Sequence, residues 1–325
     1  INLDGRRSLI RDLSIVRFPG HGFYLENATD VGLKNNHVGL DPAGIAAGNG
    51  IDGIHLSNSP TNQIGGVADD RNVLSGNGRH GITLSGDLSS LNTISENYIG
   101  TSPSGDARRS NGEYGVWITA GARQNDVIDN VISGNAKSGV VVRGDAVERS
   151  ESNVVMRNII GLASDRSSVL GNGAFGVEVV DALTTVIGGL EIAAVAQDKG
   201  NVISANDSAG VLISGPDARG TFVQGNIIGR DATGQSGRGN RSGGVLIRNA
   251  QSSRIGGSLQ AANAIASNGG SGVALEGSLA SGNEIRFNQI HDNEFLDIDH
   301  ENDLVSPNDL GDLVSNVDAD EGPND

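Results

Sequence analysis

The segment Gly115–Asn135, GVWITAGARQNDVIDNVISGN, dictates most of what this chain can fold into. A glycine opens it, a short apolar run follows, and Asn125, Asn130 and Asn135 then fall at five-residue steps. Between them stand Val127–Ile128 and Val131–Ile132, which suit very short strands and are too brief for a helix. No amphipathic helix gives apolar pairs punctuated every five residues by Asn or Gly. The same phrase recurs. Its opening glycine returns at Gly22, Gly53, Gly81, Gly115, Gly139, Gly176, Gly210, Gly244 and Gly272, at intervals of 31, 28, 34, 24, 37, 34, 34 and 28 residues. Each opens a Gly-apolar-x-apolar tetrapeptide, from GFYL and GIHL to GVLI and GVAL. A period of this length marks a solenoid, in which each repeat is one thin coil and insertions leave the side of the stack.

The insertions follow two phrases. An isoleucine-glycine precedes Ser102–Asn111, Ala163–Asn172 and Asp231–Asn240, which should therefore be loops leaving the stack on a common side. A doubled glycine precedes the others, such as IGGVADDRNVLSGN. Composition fits thin coils: the chain has 325 residues, 49 of them glycine, and is only 36% hydrophobic and 3% aromatic. A single deep core would need more large apolar side chains, whereas stacked coils need one Val or Ile per short strand. Length alone suggests two domains, but the unbroken repeat argues for one elongated β-helix domain over 1–300, followed by an acidic tail or cap over 301–325. Ile1–Phe18 reads as a degenerate first coil, and DIDH at Asp297–His300 as a last strand. The chain begins without methionine and reads as a mature or excised portion of something longer, with possible end-to-end contacts to neighbouring domains. It contains no cysteine and no apolar run of membrane-spanning length.

Charge is uneven. There are 39 acidic and 23 basic residues, and twelve of the acids, with no Lys or Arg, lie between Asp292 and Asp325. An acidic, base-free tail argues against nucleic acid as partner. Within it, Asp318-x-Asp320-x-Gly322-x-Asn324 alternates oxygen ligands around a glycine, as calcium loops do, although the distal bidentate glutamate is missing. Asp318, Asp320 and Asn324 are therefore a candidate calcium site, with a solvated acidic linker as the alternative. No other cofactor is called for.

The repeated GVxI…NxIxxNxI pattern resembles the right-handed parallel β-helix repeat of pectate-lyase-like proteins. The NVISGN and IGTxxxG phrases look like the β-helix arrays of large bacterial surface and secreted proteins. Such arrays often close on a phrase similar to DIDHENDLVSPND and DADEGPND here, although the glycine before the isoleucine is lost. The resemblance implies an all-β, right-handed, single-stranded parallel β-helix of about ten coils with loop insertions, placed outside the cell or on a bacterial surface. It leaves activity open, because this fold hosts lyases, hydrolases, epimerases and binding proteins alike.

A parallel β-helix stacks equivalent residues about 4.8 Å apart in columns, with side chains alternating in and out along each strand. In GVxI the flanking apolar residues face in: Ile54, Leu56, Val116, Ile118, Val211 and Ile213. The x position faces out, giving Tyr24, His55, Thr83, Trp117, Val141, Glu178 and, later, Leu212 and Leu246. The residue before each glycine should also face out, giving His21, Asp52, His80, Tyr114, Ser138 and Phe175; two residues beyond x come Glu26 and Arg143. The only Trp, two of three Tyr and three of six His thus share one face, in the first half of the stack. Such a strip suits a sugar ring, which stacks its C–H face on an aromatic and hydrogen-bonds at the rim; it also suits aromatics that merely pack on one another across a sheet.

Three functions follow. The first is a rigid stalk or adhesin-like scaffold binding a polysaccharide through His21, Tyr24, Glu26, Tyr114, Trp117, Phe175 and Glu178. The second is a polysaccharide lyase, epimerase or hydrolase, with His55, His80, Asp52 and Arg143 as the candidates for catalysis, because uronide chemistry needs a base and a group that neutralises the sugar carboxylate. Glu26 with Asp52 is the nearest pair of carboxylates for a hydrolase. The third is a structural spacer. The asparagines read as structure, since Asn tolerates left-handed turns and stacks in amide ladders along parallel coils.

Overall fold

A computed structural model describes residues 1–301 apart from 42, 146 and 190–199. Ten coils each contribute one strand to each of three parallel sheets, of eleven, ten and ten strands, with coil n always beside coil n + 1; the eleventh strand of the first sheet opens a further coil. The coil opened by Gly115 shows the unit: Val116–Thr119, then Asp126–Ile128, then Val131–Ile132. The architecture is the right-handed parallel β-helix expected. The first sheet counts eleven strands because Asn2–Leu3 and Ile298–His300 both join it. No helix among the described residues is long and apolar enough to cross a membrane.

The alternation of burial follows the pleat. Ile54, Leu56, Val116, Ile118, Val211 and Ile213 are all fully buried, in one apolar column that runs from Ile15 to Ala280. Trp117 and His55 lie on the outer side, half-buried. The outward columns are less open than the repeat implies: Thr83, Asp52, His80, Ser138, Val141 and Leu212 face out of the coil and are nonetheless buried. Rings and branched chains on the coils above and below close over them, since columns are only about 4.8 Å apart.

The opening glycine is fixed by close approach. A Cβ on Gly115 would stand 2.6 Å from the Gly139 carbonyl oxygen of the next coil, 2.6 Å from Ile132 Cγ2 and 2.9 Å from Asn135 Nδ2. The strand of the first sheet therefore starts where its own coil's last turn folds back beneath it.

The asparagines form ladders. Asn36, Asn72, Asn97, Asn130, Asn158, Asn201, Asn226, Asn263 and Asn288 are linked, each side-chain N–H donating to the next Oδ1. A second ladder runs from Asn49 through Asn77, Asn111, Asn135, Asn172, Asn206, Asn240 and Asn268 to Asn293. A third runs from Asn62 to Asn153 and then meets Thr185 and Thr221, whose hydroxyls lack a partner. Where a left-handed turn precedes a ladder asparagine, it belongs to the residue before, as in Glu96, Asp129 and Arg157, and not to the asparagine itself; after insertions, as at Arg71 and Ala262, it is absent. The asparagine is there for its amide.

The loops at 102–111, 163–172 and 231–240 do stack on a common side. Ser164 N–H donates to Gly105 O, the Arg108 guanidinium to Gly171 O and Arg238 Nε to Ser167 O. Residues 43–48 join the ridge through Arg109 Nε to Gly44 O; the phrase that leads to them is valine-glycine, which hid them in the sequence. Beneath the ridge, Val131, Ile159, Leu162 and Val202 form a second apolar cluster on the outside of the third sheet. The candidate calcium ligands Asp318, Asp320 and Asn324, the tail over 302–325 and most of the insertion after Gly189 lie outside the described residues.

Candidate functional site

The strands Phe23–Glu26, Ile54–Ser57, Ile82–Ser85 and Val116–Thr119 are consecutive in the first sheet. Their register sets Tyr24 beside His55, His55 beside Thr83 and Thr83 beside Trp117. His21, Asp52, His80 and Tyr114 stack alongside in the turns that lead into those strands. The two columns break into two clusters of rings.

In the first, His21, Tyr24 and His55 surround Asp52. The His21 ring stacks on Tyr24 at 5.5 Å and meets His55 at 4.6 Å; Tyr24 and His55 are 5.4 Å apart. Asp52 is only 1% exposed, while His21 and His55 are each 21% exposed. Its Oδ2 lies 2.9 Å from His55 Nδ1 and 3.3 Å from His21 Nδ1, and accepts from Thr83 Oγ1 at 3.0 Å. Its Oδ1 accepts the His80 backbone N–H at 3.2 Å. Burial opposes ionisation of this carboxyl, but hydrogen bonds from His21 and His55, with the nearby His80, outweigh it and hold the group well below the usual carboxylate range.

In the second, His80 stacks on Tyr114 with centroids 5.1 Å apart and planes 3° apart, and meets Trp117 at 4.7 Å. His80 Nδ1 accepts the Tyr114 backbone N–H at 3.3 Å, so the ring proton sits on Nε2, which has no hydrogen-bond partner and lies 3.9 Å from Glu113 Oε2. Arg79 stands over Trp117 and Lys137 over Tyr114, and both pair with Glu113. Arg79, Glu113 and Lys137 were not legible as site residues. The only available signal was their place in sequence, one residue before His80, Tyr114 and Ser138.

The His80 ring is fully buried, and that burial lowers its pKa to about 4, against the opposing pull of Asp52. The folded state thus favours neutral imidazole. The stability this confers is fully present above about pH 6.5, the ordinary value, and is lost as pH falls from there through about 4. The loss should reach roughly 2–3 kcal/mol at 1.36 kcal/mol per pKa unit. Urea unfolding of chelator-treated protein at pH 7.5 and 4.5 should show it, and His80→Phe should flatten the difference. An equal pH slope in the two proteins would show that the imidazole is already solvated.

The remaining sequence candidates do not converge here. His55 and His80 sit on adjacent coils but belong to different clusters, linked only through Asp52, which bonds one side chain and the other backbone. Arg143 is exposed on the strand Val140–Arg143, one coil beyond Trp117, and its register partner is Val180. Glu26 is exposed and Asp52 buried, so they do not form the open pair of carboxylates that glycoside hydrolysis needs. Glu178 is held by Ser138 Oγ at 2.8 Å, and Phe175 lines a separate cavity of about 210 Å³ with Ala209, Leu246 and Ala274.

Among solved structures, the chain is similar to the periplasmic alginate epimerase AlgG, at 16% identity and a TM-score of 0.43, over 86% of this chain and 47% of that one. It is similar to the A-module of the mannuronan C-5 epimerase AlgE6 of Azotobacter vinelandii, at 13% and 0.36, over 90% and 84%. It is also similar to PfbA, a surface adhesin of Streptococcus pneumoniae, at 11% and 0.29, over 90% and 73%. The chain spans about half the length of the first of these. Likeness at these identities concerns the fold. No curated protein sequence matches the chain. A family model described as "Periplasmic copper-binding protein (NosD)" matches residues 4–172, just over half of the chain and all of both ring clusters, and this β-helix therefore belongs to the NosD family.

Proposed function

We propose that the chain is a rigid module working outside the cytoplasm, and that it binds a glycan along the outer face of its first sheet. The family is a periplasmic one. The observation that carries the glycan reading is the run of half-buried rings, His21, Tyr24, His55, Tyr114 and Trp117, in a chain with 3% aromatic residues. Half-buried rings with charged neighbours offer a sugar both an apolar face and a polar rim. Arg79 and Lys137 beside Trp117 and Tyr114 favour an acidic sugar.

Titration with acidic and neutral oligosaccharides tests this, following tryptophan fluorescence in the wild type and heat in both proteins. Trp117→Ala should weaken acidic oligosaccharide binding by about fivefold, since a stacked ring is worth on the order of 1 kcal/mol, while costing stability only about as much. No binding by the wild type, or equal binding by the variant, would leave the spacer reading in its place.

A second reading, a uronide lyase or epimerase, has one observation in its favour. The buried carboxylate 2.9 Å from His55 Nδ1 can orient that imidazole and leave Nε2 as a base. Release of unsaturated uronide from alginate or pectate by wild type, and not by His55→Ala, would support it. The family description brings copper to this chain as a further class of ligand, and imidazole with carboxylate is a donor set that suits it.

A further inference from the structure

We propose that His21 Nδ1, His55 Nδ1 and Asp52 Oδ2 are the protein ligands of one divalent transition metal, copper(II) or zinc(II), with the remaining coordination positions open to solvent. The inference rests on the geometry of these three side chains and is independent of the glycan reading.

The donor atoms all lie within 4.8 Å of one another. Oδ2 is 2.9 Å from His55 Nδ1 and 3.3 Å from His21 Nδ1. A metal with bonds of about 2.0–2.1 Å holds neighbouring ligand atoms about 2.9 Å apart at a right angle and about 3.4 Å apart at the tetrahedral angle. Both separations fall in that interval, so an ion can be received with small side-chain rotations.

Without an ion the arrangement is over-supplied with donors. Two imidazoles and the Thr83 hydroxyl all address Oδ2, which has lone pairs for two. His21 Nδ1 also faces the Asp52 backbone N–H at 3.4 Å, a long contact that coordination would displace. A metal relieves the crowding at Oδ2. Each neutral imidazole moves its proton from Nδ1 to Nε2, the two freed Nδ1 lone pairs and one carboxylate lone pair go to the ion, and no proton is released overall.

The surroundings hold the ligands in place. The His80 backbone N–H fixes the other carboxylate oxygen, and the Tyr24 ring packs on both imidazoles. Such outer contacts are what orient metal-binding side chains. Two nitrogens and one oxygen suit copper or zinc better than calcium, which takes six to eight oxygens.

The test uses the full chain stripped by chelator and titrated by calorimetry with copper(II) chloride and with zinc chloride. Electron paramagnetic resonance of the copper form counts the bound nitrogens. One ion per chain is expected, with a two-nitrogen pattern and a rise in Tm. His21→Ala and His55→Ala should each weaken binding at least tenfold and leave one nitrogen, while the exposed His291→Ala should match wild type. Far-ultraviolet circular dichroism checks that the variants fold; Asp52→Asn, which disturbs a buried anion, is secondary to the two histidine variants. Absence of stoichiometric binding, or binding that survives both histidine changes, overturns the proposal. Glycan titrations run in chelator keep the two outcomes separate.

Discussion

Asn130→Ala should lower the unfolding free energy by roughly 3–5 kcal/mol, one of the two largest effects expected of any single change here. The side chain is buried and makes five hydrogen bonds. Its two Nδ2 hydrogens are shared among Ile94 O, Ile128 O and Asn158 Oδ1, at 2.9, 2.9 and 3.0 Å. Its Oδ1 accepts the backbone and side-chain N–H groups of Asn97, at 2.9 and 3.0 Å. Alanine would orphan donors and acceptors on three coils at once, each at about 1–3 kcal/mol before relaxation. Chemical denaturation gives the size, and hydrogen exchange should show the loosening centred on the coils of Asn97, Asn130 and Asn158. A loss below about 1 kcal/mol would mean that water replaces the amide, and the ladder would then not be what holds the turns together.

Gly115→Ala is expected to cost about 3 kcal/mol or more. The added methyl would press on the Gly139 carbonyl, which accepts the Val116 N–H at 2.9 Å, and on Ile132 Cγ2 inside the core. Neither can withdraw, because the first is held by the sheet and the second by the column of apolar side chains. Gly20→Ala is the control: a Cβ there meets nothing within 4 Å, so its effect should stay within about 0.5 kcal/mol. Equal melting temperatures for the two variants would show that the opening glycine of the repeat is not a packing requirement.

How much of this was legible depends on what the repeat encodes. Inward and outward positions were, because Val116 and Ile118 flank Trp117 with the period of a strand, and a pleat has only two faces. The position of Gly115 was legible while its cause was not, since close approach of a neighbouring coil leaves no mark in the sequence beyond the glycine itself. The ladder asparagines were read correctly as structure, but where a left-handed residue occurs it is the one before, and Glu96, Asp129 and Arg157 at such positions share no side-chain type.

The strip of rings was legible as a column and not as two clusters. Columns say which residues are neighbours; they do not say which side chain leans over which. His80 and Asp52 therefore looked exposed, and the rings of His21, His55, Tyr114 and Trp117 that cover them could not be placed without rotamers. Glu113, which faces His80 and pairs with Lys137, lies off both columns and so escaped the pattern altogether.

The asparagine ladders also give the molecule a polarity. From Asn36 to Asn288 every link runs the same way, side-chain N–H toward the following coil and Oδ1 toward the preceding one. The second ladder, ending at Asn293, has the same sense. Amide dipoles aligned head to tail add along the axis, as peptide dipoles do in an α-helix. The end at the first coil carries the negative pole and the end at the last coil the positive one. Asp292, Glu294, Asp297, Asp299 and Glu301 lie at the last described coil, the positive end, and supply countercharge there.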